Sequence, residues 1–487
     1  MIKYRIRKRV DREIKLSIGP RFRLPDIPGE PLVPRVFTST YFDTSTHTLA
    51  KIGISLRRRT ENRKMCWQLK LPHKQARLEL EIPSHHPTPP EPFLDLLFGL
   101  LRNEACGAIA KLQTKRSGIR VQAMDGPLAD VVVDRVTILD DRRAIGRFSE
   151  IEIERLDGNE KDLNRLESLL RSAGAEEGDP RPKIVKALGI QPEAGSLPVH
   201  GSAPPIDHLR AMLQKQVRDL LLHDPGTRFG KDPEELHQMR VCTRRFRALL
   251  RAAQVLLVPE WSRPLRAEMG WLGQVLGAVR DYDVLLEHLH LDASALLPPE
   301  RKIFEQILAS LETKRSIARA HLLNALRSDR YLTLLTSLEE AVQHPIPCTP
   351  ENIPLKELAR KEFNKLRRRV QRLNPNPSDQ ELHQVRIRTK RARYAAELAL
   401  GTMKKSASPY LRQTKRVQDV LGEHQDSIVA EQQLREILST IRGVRPAFVI
   451  GQVVERIRAR RCRAREVFPR EWSKLKKRGC VAFAEPS

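Results

Sequence analysis

The chain has 487 residues, 40% hydrophobic and 30% charged, enough for two or three domains each with its own core. Its 87 Lys and Arg against 60 Asp and Glu leave a net charge of +27, which excludes a polycationic partner and leaves nucleic acid, polyphosphate or anionic membrane. The start MIKYRIRKRVDREIK has no apolar core for a signal peptide, no window reaches about 18 apolar residues, and six scattered cysteines lack a C-x-x-C pair, so a cytoplasmic protein without a membrane span is expected.

Residues 1–190 alternate apolar and polar side chains in REIKLSI, ISLRRR, WQLKLP, ARLELEIP, ADVVVDRVTIL and FSEIEIERL. A period of two predicts an antiparallel sheet or barrel, with short helices near 90–101 and 160–173. The Pro/Gly/Ser-rich stretch at 191–206 reads as a linker. Helical periodicity follows over 207–480, and HPIPCTPENIP at 344–354 splits it into halves 207–343 and 355–480. The first 200 residues hold 35 basic and 27 acidic side chains, the rest 52 and 33, so most of the basic excess lies downstream.

Alternate residues of a strand share a face. Asp11, Glu13 and Lys15 therefore point one way, as do Arg57 and Arg59, Arg77 with Glu79 and Glu81, and Glu150 with Glu152 and Glu154. On a closed sheet these would line a charged interior, with carboxylates suited to a hard divalent cation and Arg and Lys suited to phosphate oxygens. The competing reading is a solvated outer face paired across the strands.

DREIK resembles the ExExK signature of the CYTH family, the triphosphate tunnel metalloenzymes. YFDT at 41–44, LRRR at 56–59, WQLK at 67–70, EIEIE at 150–154 and PKIVKAL at 182–188 follow in the family's order. The resemblance implies a β-barrel tunnel over 1–190 that hydrolyses inorganic triphosphate or a related triphosphate with Mg²⁺ or Mn²⁺, or cyclises ATP. Carried over by position, Asp11, Glu13, Glu150, Glu152 and Glu154 would bind metal. Lys15, Arg57, Arg59, Lys70, Arg116 and Lys183 would hold the phosphates, with Glu13, Lys15, Arg57 and Arg59 at the centre of catalysis. Two departures stand out: Asp11 replaces the first Glu of the signature, and Pro182 stands where Ser is frequent.

The helical region repeats a fourteen-residue motif, LHQMRVCTRRFRAL from Leu236 and LHQVRIRTKRARYA from Leu382. In each copy His and three basic residues fall within about 80° of helix arc, and the opposite face is apolar. VLGAVRD at 275–281 and VLGEHQD at 420–426 recur at nearly the same offset, which predicts an internal duplication and two related bundles. This region resembles the CHAD domain, an α-helical module associated with polyphosphate. The resemblance implies a basic groove lined by His237, Arg240, Arg244, Arg245 and Arg247 on one side and His383, Arg386, Lys390, Arg391 and Arg393 on the other. The basic run RIRARRCRAR at 456–465 reads as a solvated helix or an auxiliary anion surface.

The expected fold is α+β: an antiparallel barrel followed by an all-α domain of two duplicated bundles. The expected function is metal-dependent triphosphate hydrolysis coupled to inorganic polyphosphate binding, in the cytoplasm or at polyphosphate granules. A non-catalytic polyphosphate-binding protein is the alternative. Nucleic acid is disfavoured, because aromatics are only 5% and no recognition or stacking motif is present.

Overall fold

Ten strands carry the N-terminal region: β1 (Arg7–Asp11), β2 (Glu13–Ser17), β3 (Gly29–Asp43), β4 (Ser55–Glu61), β5 (Lys64–His73), β6 (Ala76–Pro83), β7 (Gly107–Ala123), β8 (Gly126–Asp140), β9 (Arg143–Arg155) and β10 (Glu176–Glu177). They form one antiparallel sheet in the order β1-β6-β5-β4-β3-β7-β8-β9-β2-β10. This computed structural model describes residues 6–484 except 74, 75, 103, 124, 125, 191–202, 352 and 404–406, and excludes the side chains of Val10 and Asp11. The expected linker thus lies largely outside the described residues, as does the Asp11 side chain.

The expected barrel is seen as a sheet without a ladder joining β1 to β2. Those two strands are separated in the chain by Arg12 alone, yet β1 pairs with β6 and β2 with β9. One continuous stretch therefore supplies the first strand of the order and the last but one, with only the two-residue β10 beyond β2. The β4–β5 connection is a two-residue turn in which Asn62 and Arg63 both have positive φ, 47° and 61°, the backbone that a tight hairpin requires.

Each face of the sheet is set by the alternation. Ile151 and Ile153 of β9, Val131 and Val133 of β8 and Leu16 of β2 share a core with Leu163, Leu166 and Leu170. Those leucines sit at i, i+3 and i+7 on α3 (Glu160–Ser172), whose start is fixed by an Asn159–Asp162 capping box. Leu170 has no exposed surface, so truncation to Ala should cost about 2–5 kcal/mol. The alternate residues face the other side, and most are charged: Glu13 and Lys15 of β2, Asp134 of β8, and Glu150, Glu152 and Glu154 of β9. Helices α1 (Thr48–Lys51) and α2 (Glu91–Leu101) connect the strands, and α4 (Lys183–Ala187) sends Ile184 and Val185 into an apolar cluster with Tyr41, Leu112 and Val136.

The helical region comprises α5 (Pro205–Phe229), α6 (Pro233–Ala252), α7 (Pro259–Ala293), α8 (Pro298–Leu326), α9 (Asp329–Gln343), α10 (Leu355–Gln371), α11 (Asp379–Leu398), α12 (Leu400–Met403), α13 (Ala407–Leu438) and α14 (Val444–Ala482). The chain divides into two compact units, 1–195 with 224–229, and 196–223 with 230–487. No described helix is long and apolar enough to cross a membrane.

The two expected bundles do not stand apart. Leu285 and Leu289 of α7, Phe304 and Leu311 of α8, Ala430 and Leu434 of α13, and Val449 and Val453 of α14 form a single core. Each long hairpin, α7–α8 and α13–α14, thus buries part of its apolar surface on the other.

Candidate functional site

Charged side chains from eight strands and α4 converge on a cavity of about 410 Å³ in the first unit. Nine of the eleven tunnel residues expected from sequence line it: Glu13, Lys15, Arg57, Arg59, Lys70, Arg116, Glu152, Glu154 and Lys183. The register explains the convergence, because Lys15 lies opposite Glu152, Glu13 opposite Glu154, and Ser55 opposite Lys70. Of the other two, Glu150 is buried against Lys183 and does not line the cavity. Asp11 lies outside the described side chains.

The carboxylates gather on β2, β8 and β9. Arg116 donates to both oxygens of Asp134 at 2.7 Å, and to Glu152 and Glu154 at 2.6 Å each. Lys183 Nζ lies 2.7 Å from Glu150, 2.7 Å from Glu152 and 3.0 Å from Asp134. Burial alone would raise the Glu152 carboxyl, but Lys183, Lys15 and Arg116 overcome it and hold the group well below the usual carboxylate range. Burial alone would lower the Lys183 ammonium, and Glu152, Asp134 and Glu150 reverse it, holding the group well above its ordinary value and charged. Glu13 is different: Lys15 and Arg77 approach at 3.4 and 3.5 Å, which is ion pairing at the limit of hydrogen-bond length.

The cations gather on β4 and β5. Arg57 donates to Gln68 at 2.8 Å and to the Tyr41 hydroxyl at 3.2 Å, and Lys70 pairs with Glu79 at 3.0 Å. Arg59 lies 3.7 Å over the Phe37 ring and pairs with Glu61. Burial first, then the neighbouring Arg57, push Arg59 down to about 10. Two guanidiniums held close at i and i+2 repel, and an anion placed between them relieves that repulsion. Sequence reasoning missed Asp134, Arg35, Arg7 and Arg9 as members of this site. The signal for Asp134 was its place in ADVVVDRV, where it closes a run of three valines.

The test for a divalent cation turns on the donors. Glu13, Glu152 and Glu154 offer oxygen atoms to the cavity, and Lys15 and Arg77 approach Glu13 at long distance, so this set fits a hard cation. Asp134, Glu150 and Glu152 form a second three-acid group, buried throughout, but an ammonium already sits among them.

In the second unit the repeated motif falls on α6 and α11, which pack together, with Arg244 Nε donating to the Tyr394 hydroxyl at 2.8 Å. Arg240, Arg244, Arg386 and Lys390 converge there. Burial, then Arg386, Arg244 and Arg240, push Lys390 down to about 7. Burial also lowers His237, helped by Arg280, Arg244 and Arg240. Each half brings one acid to its own cation: Asp281 of α7 pairs with Arg240 at 2.6 Å, and Asp426 of α13 faces Arg386 and Lys390. His383 bonds Gln425 at 2.7 Å. Gly277 of α7 makes room for Arg240, whose guanidinium comes within 3.4 Å of where a Cβ would stand.

The other motif residues point elsewhere. Arg393 is taken by Glu397 and Gln418 at 2.8 and 2.9 Å, and Arg245 approaches Glu397 at 3.8 Å. Arg247 lies along Gly270 of α7, and Arg391 sits near Arg251 and Arg388. Much of the run 456–465 is structural: Arg460 forks onto Asp292 at 2.7 and 2.9 Å, and Arg458, Arg461 and Arg465 staple α14 to Glu431 and Asp379. The expected solvated or auxiliary anion surface is therefore mostly consumed inside the fold.

An antiparallel sheet with a charged inner face, followed by helices with a duplicated basic motif, defines a two-module class. The CYTH domain family matches residues 2–182 and the CHAD domain family residues 211–435. Uncharacterized proteins Rv2226 and MT2285 of two Mycobacterium tuberculosis strains, H37Rv and CDC 1551, are each 31% identical over 424 residues, covering 81% of both chains. The chain belongs to the family that joins an N-terminal CYTH domain to a CHAD domain. Among solved structures, PptA from Streptomyces chartreusis covers 56% of this chain and 100% of its own (23% identity, TM-score 0.47). The CHAD domain from Ricinus communis covers 60% and 96% (24%, 0.43), and PH1819 from Pyrococcus horikoshii 36% and 95% (18%, 0.24).

Proposed function

We propose that the first unit hydrolyses a short triphosphate, inorganic triphosphate foremost, and that the second binds inorganic polyphosphate. The observation that carries the first part is the convergence of both charge signs on one 410 Å³ cavity, where Glu13, Glu152 and Glu154 of β2 and β9 meet Arg57, Arg59 and Lys70 of β4 and β5 among further cations. A continuous 7–17 stretch that supplies the first strand of the order and the last but one supports a tunnel. Arg57, Arg59 and Lys70 would hold the phosphoryl oxygens, and Lys15 and Arg116 would bridge toward the acids. Water attacks the terminal phosphorus in line, one P–O bond forms, and the bond to the leaving diphosphate breaks. Mg²⁺ or Mn²⁺ held by Glu13, Glu152 and Glu154 would supply Lewis acidity and offset phosphate charge. The side chains also order the substrate, because a row of fixed guanidiniums admits a linear polyanion in one register.

Phosphate release from tripolyphosphate, ATP and thiamine triphosphate with Mg²⁺ or Mn²⁺ tests this reading, with Glu13→Ala as control. Release by the wild type that falls at least 100-fold in the variant is expected. No release from any of the three substrates refutes catalysis and favours a tunnel that binds without turnover, a reading that the cation-filled acid cluster around Lys183 also supports. For the second unit, Arg240, Arg244, Arg386 and Lys390 supply four convergent cations with two flanking acids. Combining Arg240→Ala with Arg386→Ala should weaken long-chain polyphosphate at least tenfold and flatten its salt dependence. Equal affinity of the wild type for duplex DNA at matched phosphate would contradict a dedicated polyphosphate groove.

A further inference from the structure

The two copies of the repeated motif set their cations in matching places: Arg240, Arg244, Arg245 and Arg247 on α6, and Arg386, Lys390, Arg391 and Arg393 on α11. All are arginine except Lys390. A guanidinium stays protonated and is a poor nucleophile, whereas an amine that loses its proton attacks electrophiles. The first copy fills the same place with Arg244, so charge alone does not call for an amine there.

Lys390 stands among these guanidiniums. It lies one helical turn after Arg386 and one turn before Tyr394, on one face of α11. Arg244 crosses from α6 to donate to the Tyr394 hydroxyl at 2.8 Å, which brings its guanidinium alongside Lys390. Arg240 is anchored by Asp281 of α7 at 2.6 Å, in the space that Gly277 leaves. Asp426 of α13, itself near His288 and Asp281 of α7, favours an ammonium at Lys390 but is outweighed. Burial first, then Arg386, Arg244 and Arg240, hold the amine at about 7, so about half of it is neutral at neutral pH. The residue is half-buried, and one side stays open to reagents in solution.

We propose that Lys390 is an acylation site whose electrophile is an acyl phosphate. The phosphate group rests on Arg240, Arg244 and Arg386, which presents the carbonyl carbon to Nζ. The Nζ lone pair forms a C–N bond, and the C–O bond to phosphate breaks. Phosphate departs with that electron pair and takes up the proton that the amine loses. The product is a neutral amide, so the group of four convergent cations falls to three. Acylation then weakens polyphosphate binding, and bound polyphosphate shields the amine. That consequence rests on the polyphosphate reading; the acylation itself does not.

The test incubates the full chain at pH 7 with acetyl phosphate, or with the uncharged donor N-hydroxysuccinimidyl acetate, and reads each site by peptide mass spectrometry. With acetyl phosphate, Lys390 should be acetylated roughly tenfold or more faster than the exposed Lys314 of α8 and Lys415 of α13. That preference should shrink with the uncharged donor, with added inorganic phosphate, and in Arg240→Gln combined with Arg386→Gln. The Lys390 rate should level off by about pH 8, while the rates at Lys314 and Lys415 keep rising. Labelling of Lys390 no faster than the exposed lysines overturns the proposal, and an equal preference with both donors overturns the acyl phosphate assignment. Acetyl phosphate treatment should also lower the polyphosphate affinity of the wild type and leave that of Lys390→Arg where it was before treatment; an equal loss in both overturns the regulatory consequence. A chain that binds no polyphosphate can still show the labelling preference, so the two readings fail separately.

Discussion

Asp134 offers the sharpest perturbation of the tunnel. It has no exposed surface, accepts both arms of the Arg116 guanidinium at 2.7 Å and lies 3.0 Å from Lys183. Breaking a buried pair by removing one partner costs about 3–5 kcal/mol. Asp134→Asn keeps the volume and one acceptor, and Glu150, Glu152 and Glu154 still hold the stranded cations. The expected loss is therefore nearer 2–3 kcal/mol, at the low end of that range. In a unit of this size it lowers the melting transition by about 4–12 °C. The pH dependence follows from the shift. Burial raises the Asp134 carboxyl, but Lys183 and Arg116 overcome it and place the folded value below the ordinary one. Its stabilisation is then complete above the unfolded-state value near 4 and is lost as pH falls through the lower folded value. Differential scanning calorimetry from pH 3 to 8 should show a constant gap between wild type and variant at neutral pH that closes under acid conditions. A shift under about 1 °C at pH 7, or a gap that widens on acidification, refutes the assignment of Asp134 as the anchor of Arg116 and Lys183.

Other outcomes follow from single contacts. Lys390 sits at about 7 because burial and then Arg386, Arg244 and Arg240 disfavour its charge; a bound polyanion restores the ordinary value, so binding takes up a proton. Polyphosphate affinity should fall about 50-fold from pH 7 to 9, and Lys390→Arg should flatten the profile; a flat wild-type profile contradicts the cluster. A Cβ on Gly479 would stand 2.2 Å from the Phe363 ring, which packs edge-on to Tyr410 and stacks on Phe483. Gly479→Ala should cost about 1–3 kcal/mol by overpacking, against the roughly 1 kcal/mol that helix propensity returns, as read by chemical denaturation. Arg460→Met should destabilise the second unit by about 1–3 kcal/mol through the Asp292 carboxylate left with fewer donors, with little change in polyphosphate affinity measured by calorimetry.

Local pattern carried much of the N-terminal site. Two-residue alternation put Glu13 with Lys15, Arg57 with Arg59, and Glu150 with Glu152 and Glu154 on one face each, because strand geometry leaves no other choice. The pattern could not rank Glu150 apart from its neighbours: its direction is the same, and only the arrival of Lys183 from α4 removes it from the cavity. Asp134 was illegible as a site residue for a related reason, since an acid in a mostly apolar strand gains meaning only from the cations that meet it. On the helices, the 80° arc placed His237, Arg240 and Arg244 together, yet Arg247 and Arg393 lie a further turn along and meet different neighbours. The run 456–465 looked like a free cationic face because its partners, Asp292, Glu431 and Asp379, lie on helices distant in sequence.

Sequence by itself determined the order of the two modules, the alternating charged strands, and the duplication that sets two basic helices in matching phase. These depend on periodicities of two and 3.6 residues, which short stretches of chain carry in full. Tertiary structure alone decided which charges meet. It filled the Asp134–Glu150–Glu152 cluster with an ammonium from α4, brought Arg240 and Arg244 against Arg386 and Lys390, and joined the two helical halves through a cluster shared by α7, α8, α13 and α14. Coulomb energy and burial depend on distances between residues far apart in the chain, and only the packed fold sets those distances.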